Sequence, residues 1–228
     1  MNKASIAEIF VSIQGEGLYA GQKQVFVRFA GCDLGCDYCD EPAAKGGGRE
    51  MPLAAVKKEL EALALRDKAR AVSFTGGEPL LQAGAVLELA RFARRLGLET
   101  HLETNGTLWR ELAKVVKAFD VVAADIKLPG TSGKVFWAEH RKFLALAGKK
   151  AFVKVVVTSK TPPAEFKMAV KLAAAVAPRM PFYIQPVTAG SGVKPPSEAR
   201  LDAFYHIAIG KLYTVRILPQ LHKLWGIK

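Results

Sequence analysis

Short apolar runs alternate with longer segments of helical periodicity along most of the chain. Residues 9–13, 25–29, 71–74, 98–102, 121–124, 152–157, 182–184 and 212–218 are apolar stretches of strand length. Between them, residues 53–65, 83–96, 108–119, 136–147, 163–177 and 197–209 space their apolar positions with the period of an α-helix. In the second of these helices, Val86, Leu87, Ala90, Ala93 and Leu96 share one face while Arg91, Arg94 and Arg95 point away. Many of the loops between carry helix-breaking Gly or Pro. Such alternation predicts parallel strands joined by right-handed crossovers, either as an open α/β sheet or as a barrel. No linker interrupts the pattern, so one domain is expected. The Gly46-Gly47-Gly48 run reads as a flexible loop.

The unusual residues collect just after predicted strands. Cysteines follow residues 25–29, and Thr75-Gly76-Gly77-Glu78-Pro79 follows residues 71–74. Glu103-Thr104-Asn105-Gly106-Thr107, Asp125-Ile126-Lys127-Leu128-Pro129 and Gln185-Pro186 follow three further strands. Carboxyl ends of parallel strands face one way and build active sites there, so these five segments are expected around a single mouth.

Composition narrows the class. Half of the 228 residues are hydrophobic, ample for one sizeable core and unlike a disordered tail. No apolar run approaches the roughly 20 residues that span a bilayer. Residues 1–12 lack a signal-type apolar block, and a cytoplasmic protein is expected. The 33 Lys and Arg against 21 Asp and Glu give a formal charge of +12. The surplus lies entirely within residues 141–228, whose only acids are Glu165, Glu198 and Asp202. That asymmetry fits a solvated surface or a patch facing an anionic partner.

Cysteine usage is the sharpest signal. All three, Cys32, Cys36 and Cys39, fall within one loop, and an odd count argues against a disulfide framework. A structural zinc site needs four protein ligands, and the histidines at 101, 140, 206 and 222 offer none at local spacing. A 4Fe–4S cluster held by three thiolates leaves one iron open to an exogenous ligand, whereas such clusters are normally held by four. Spacing favours the cluster and leaves zinc open.

The triplet with Tyr38 just before its last cysteine resembles the signature of the radical S-adenosylmethionine superfamily. Gly76-Gly77-Glu78-Pro79 is similar to that superfamily's second hallmark. The resemblance implies a partial, open (β/α)6-type barrel, with S-adenosylmethionine (SAM) chelating the unique iron. Physically, Gly76 and Gly77 remove Cβ atoms where backbone would approach a ligand. Glu103 and Lys127 suit a ribose diol and a carboxylate, or else a strand-end ion pair. The resemblance assigns Tyr38, Gly76, Gly77, Glu78, Glu103, Asp125, Lys127 and Gln185 to the cofactor.

Both ends of the chain sharpen the likeness. Ser12-Ile13-Gln14-Gly15-Glu16-Gly17, the run from Phe26 to Cys32, and the terminus from Pro219 to Lys228 resemble the 7-carboxy-7-deazaguanine synthase family. That family converts 6-carboxy-5,6,7,8-tetrahydropterin to 7-carboxy-7-deazaguanine by radical ring contraction with loss of ammonia, toward the deazapurine bases (queuosine, archaeosine) of transfer RNA. A Gln14 amide and a Glu16 carboxylate can read a pterin edge, and Arg28 can fork onto its carboxylate. The resemblance adds Gly15, Thr75, Gly77, Gln220, His222 and the terminal carboxylate of Lys228. It divides the single domain into an amino-terminal substrate segment, about 9–31, and a capping tail, about 212–228.

One departure stands out. The family usually carries Thr or Ser after the aspartate that follows the third cysteine, and that hydroxyl helps hold Mg²⁺. Here the run is Asp40-Glu41-Pro42. A carboxylate is a good Mg²⁺ ligand but is longer and charged, so Asp40 and Glu41 enter as candidate ligands. A glycyl-radical activating enzyme would share the cluster motifs without needing residues 14–17 or His222. A zinc-bearing RNA-binding module is the alternative from another class. The resemblance also implies a homodimer and a flavodoxin or ferredoxin as electron donor, with no membrane or direct nucleic-acid partner. On that reading much of the basic surplus is expected on helix faces, such as Lys160, Lys167 and Lys171, away from the mouth.

Overall fold

The computed structural model describes residues 2–189 and 192–227. A long strand, β1 (Lys3–Ile13), turns back through a 3-10 helix (Gly17–Tyr19) into β2 (Lys23–Phe29). The cysteine loop follows, then α1 (Pro42–Lys45) and β3 (Arg49–Pro52). Strand–helix units come next: α2 (Leu53–Asp67), β4 (Ala71–Gly76), α3 (Ala83–Arg95), β5 (Glu99–Thr104), α4 (Trp109–Val115) and β6 (Val121–Asp125). The chain continues through α5 (Pro129–Ser132), α6 (Trp137–Ala147), β7 (Ala151–Val157), α7 (Pro163–Val176) and β8 (Phe182–Pro186). It closes with α8 (Glu198–Ile209), β9 (Val215–Ile217) and α9 (Leu221–Trp225).

Among the described residues, nine strands form one sheet in the order β3-β1-β2-β4-β5-β6-β7-β8-β9. From β2 through β9 in that order the pairing is parallel, whereas β1 is antiparallel to both β2 and β3. The sheet stays open, as a partial barrel. Alternation along each strand then divides its two faces. Val25, Val27, Phe29, Val72, Phe74, Val122, Val153, Val155 and Val157 are buried in the main core. Against this face pack the helices, whose apolar stripes supply Val56, Leu60, Val86, Leu89, Phe143 and Phe166. The opposite face carries a small apolar floor of Val121, Ala123, Phe152 and Tyr183, and above it the polar side chains of the site.

The structure differs from the sequence pattern at four places. In α3 the buried stripe runs through Val86, Leu89, Ala90 and Ala93, with Leu87 only partly buried and Leu96 exposed. Strand β3 has one buried apolar residue, Met51, and forms because it pairs with the start of β1; its sequence carries no apolar alternation. Within residues 212–218 only Val215–Ile217 is strand. Lys167 and Lys171 do lie exposed on α7, but Lys160 does not belong to a helix. It stands in the loop beyond the carboxyl end of β7, on the side of the mouth.

Candidate active site

Parallel register brings the motif-bearing strand ends side by side on the inner face. Arg28 lies opposite Thr75, Glu103 opposite Ala123, Asp125 opposite Lys154, and Val156 opposite Gln185. One cavity is lined by these residues together with Cys32, Cys36 and Cys39. The three cysteines are free and half-buried. Their loop is held from two sides. Glu78 N–H donates to Gly31 O at 2.8 Å, and Asp37 N–H to Thr131 O at 3.1 Å.

The glycine pair sits where no side chain fits. Gly76 has φ +145°, and a Cβ there would stand 2.7 Å from Phe29 N. A Cβ on Gly77 would stand 2.9 Å from the Cβ of Cys32. Glu78 is fully buried, and its carboxylate accepts from Leu80 N–H (2.9 Å), Thr104 Oγ1 (2.9 Å) and Asn105 N–H (2.8 Å). Burial pushes its pKa up to about 7 against those hydrogen bonds. Its side chain ties the ends of β4 and β5 together and is not among the residues lining the cavity.

Glu103 does line it, accepting from Gln14 Nε2 (2.7 Å), Ser73 Oγ (2.7 Å) and Thr75 Oγ1 (3.3 Å). Asp125 Oδ2 accepts from Lys127 Nζ at 2.9 Å, and that ammonium stands 5.3 Å from the centre of the Tyr38 ring. Burial would lower the Lys127 pKa, but Asp125, Tyr38 and Cys36 together outweigh it and hold the pKa well above the usual value. Behind this pair, His140 joins two strand-end loops. Its Nε2 accepts from Lys127 N–H at 3.1 Å, which leaves the Nδ1 proton to donate to Gly106 O at 3.0 Å.

Residues 14–17 reach the same cavity from the other direction. Because β1 is antiparallel to β2, its end lies beside Lys23, at the amino end of β2. A tight return (Gln14 N–H to Gln22 O and Gly21 N–H to Gln14 O, both 2.8 Å) then turns Gln14 and Glu16 inward. Glu16 Oε1 accepts from Gln185 Nε2 (3.2 Å) and Gln220 Nε2 (2.8 Å), and Oε2 pairs with Lys154. Burial would raise the Glu16 pKa, but Lys154 and Gln220 together hold it down at about 2. The tail docks on the same segment through Leu221 N–H to Gly15 O at 2.9 Å.

The donor set suits an iron–sulfur cluster. Among the described residues, the only trio of metal-ligating side chains with atoms all within 4.8 Å of one another is Glu16, Asp40 and His222. The three thiols do not form such a trio. Three thiolates are one ligand short of a structural zinc site and suit a cluster that leaves one iron open to an exogenous ligand. Buried Asp125 Oδ1 and Gln185 Oε1 have no hydrogen-bond partner within the protein. Both belong to cavity-lining residues, as a bound polar cofactor would require.

The radical SAM superfamily model matches residues 26–156. A 7-carboxy-7-deazaguanine synthase from Geobacter sulfurreducens is 36% identical, with 98% of this chain and 97% of the relative covered. The chain belongs to the 7-carboxy-7-deazaguanine synthase family. One from Methanopyrus kandleri is 34% identical over 96% of this chain and 92% of the relative. QueE from Escherichia coli shares the fold with a TM-score of 0.62, at 20% identity over 94% of this chain and 93% of that one. Family membership sets aside the zinc-bearing RNA-binding module.

Within this radical SAM enzyme the expected site residues divide by position. Tyr38, Gly76, Gly77, Glu103, Asp125, Lys127 and Gln185 line the cavity, as do Gln14, Gly15, Glu16, Arg28, Thr75, Gln220, His222, Asp40 and Glu41. Arg28 is already engaged, its Nε bonded to Glu8 at 2.8 Å and its Nη2 3.3 Å from Glu41. Lys228 lies outside the described residues. Lys154, Ser73 and His140 carry the site yet were not singled out from the sequence. Lys154 left a usable trace, as the one charge inside the apolar run of β7. Ser73 left none.

Proposed function

We propose that this enzyme converts 6-carboxy-5,6,7,8-tetrahydropterin to 7-carboxy-7-deazaguanine, with ring contraction and loss of ammonia. The observation that carries this reading is the delivery of Glu16 into the barrel floor, where it is held ionised beside the cysteine loop. An ionised carboxylate only accepts hydrogen bonds, which matches the adjacent N–H groups of an aminopyrimidine ring. Gln14, Thr75 and Gln220 supply further polar contacts, and Arg28 supplies the cation for the substrate carboxylate. The segment 9–31 and the tail from residue 212 close the site from below and from the side.

Cys32, Cys36 and Cys39 hold the cluster. Glu103, Asp125, Lys127, Gln185 and the backbone at Gly76 and Gly77 bind SAM, beside Tyr38. When bound, the cluster and SAM supply the one-electron chemistry that starts the reaction, and the protein keeps water away from it. We place Mg²⁺ at Asp40. Glu41 is paired with Arg28, whereas the Asp40 carboxylate lies with Glu16 and His222 at a spacing that one ion can bridge. An acidic flavodoxin or ferredoxin is the reductant we favour, approaching a surface to which Lys160 contributes. The enzyme works as a cytoplasmic homodimer on this reading.

Anaerobic reconstitution with iron and sulfide, followed by turnover under reductant with SAM and the pterin, tests it. The expected product has the mass of 7-carboxy-7-deazaguanine and accumulates with SAM regenerated. A fully cluster-loaded enzyme that leaves the pterin unchanged overturns the reading.

A further inference from the structure

Lys154 sits at the centre of β7, a strand whose seven residues are all buried. It is 7% exposed and faces the cavity, between the inward positions Phe152 and Val156. An unpaired ammonium there would be strongly unfavourable, so its partners define what it is for. One is Glu16, to which it is hydrogen-bonded. The other is Asp125, whose Oδ1 stands 3.7 Å from Nζ and has no hydrogen-bond partner.

These two carboxylates belong to different halves of the site. From Asp125 the contacts run to Lys127 (2.9 Å) and on to the Tyr38 ring (5.3 Å). From Glu16 they run to Gln220 (2.8 Å) and on to Asp40 Oδ2 (2.8 Å). The path therefore starts and ends on the two neighbours of Cys39, having passed around the cavity. Lys154 links β6 to the segment that arrives from the amino end of the barrel.

We infer that Lys154 is a positioning residue for both halves at once, fixing Glu16 toward the substrate and Asp125 toward the cofactor. The inference rests on the substrate and cofactor halves proposed above. It differs from a purely structural role because it ties two binding constants to one side chain. Glu103, Lys127, Asp40 and His222 face the same charges but none contacts both carboxylates. The strongly raised pKa of Lys154 and the depressed one of Glu16 agree with a pair that stays charged throughout the working range.

Lys154→Met keeps the length of the side chain and removes its charge. With cluster-loaded enzyme, the expected result is a rise of tenfold or more in KM for both pterin and SAM, with kcat changed less than threefold. Lys154→Arg should recover most of both. Glu16→Gln should raise only the pterin KM, and Asp125→Asn only the SAM KM. If Lys154→Met fails to fold, the paired variant Glu16→Gln/Lys154→Met, which leaves no orphaned charge, takes its place with the same expectation for SAM. A single KM moving in Lys154→Met, or neither, overturns the inference. Wild-type enzyme that cleaves SAM but ignores the pterin would overturn the substrate reading instead, and the SAM arm would still test Lys154.

Discussion

Gly15 lies directly against His222. A Cβ on Gly15 would overlap the imidazole ring and stand 2.7 Å from the His222 backbone nitrogen. The two segments are also hydrogen-bonded through Gly15 O and Leu221 N–H. Gly15→Ala should therefore push the tail off the substrate segment while the barrel remains folded. Overpacking of this kind costs about 1–3 kcal/mol, so pterin KM should rise roughly five- to 150-fold, with little change in melting temperature. An unchanged KM would show that the tail has room to shift.

Gly76 makes a harsher demand. Its φ of +145° is barred to side-chain-bearing residues, and the space for a Cβ is filled by the backbone of Phe29. Gly76→Ala should displace the loop that braces Gly31 and the cysteines. The expected outcome is a low iron content after reconstitution, read by the visible absorption of the cluster. Cys39→Ala should lose that absorption as well but keep the melting temperature of the wild-type apoprotein, which separates ligand loss from misfolding.

His140 predicts an acid-side limit to stability. Burial, helped by the nearby Lys127 ammonium, lowers its pKa to about 4 from the ordinary histidine value of 6.5. Between those values the unfolded chain takes up a proton that the folded protein excludes, so stability falls as pH drops. The contribution is complete above pH 6.5 and gone below about 4, and amounts to about 3 kcal/mol. Urea midpoints measured across this range should fall for the wild type. They should fall less for His140→Gln, and parallel curves would show that other groups dominate.

Metal dependence separates Asp40 from Glu41. Asp40→Asn should raise the Mg²⁺ concentration for half-maximal turnover by at least about tenfold, the scale on which ligand-sphere changes act. Glu41→Gln should leave it within a few-fold and act on pterin KM instead, because it releases Arg28. Equal effects on Mg²⁺ would place both carboxylates on the ion.

Much of this molecule is written locally. The short apolar runs and the helical spacings between them gave the parallel strands and their crossover helices, because each element must bury apolar surface against the next layer. Cys32, Cys36 and Cys39, the Gly76-Gly77 pair and the residues at the carboxyl ends of β5, β6 and β8 were legible for the same reason: short segments carry unusual side chains where strands end. The packed structure was needed for what depends on direction and distance. Residues 14–17 were visible as a motif, but only the antiparallel pairing of β1 shows that they enter from the barrel's amino end. Strand β3 exists through its partner and not through its own composition. Lys154 looks like an intrusion in an apolar strand until Glu16, 138 positions earlier, and Asp125 are brought beside it. A buried charge is tolerated only where its counter-charges converge, and convergence of segments distant in sequence is a property of the folded chain alone.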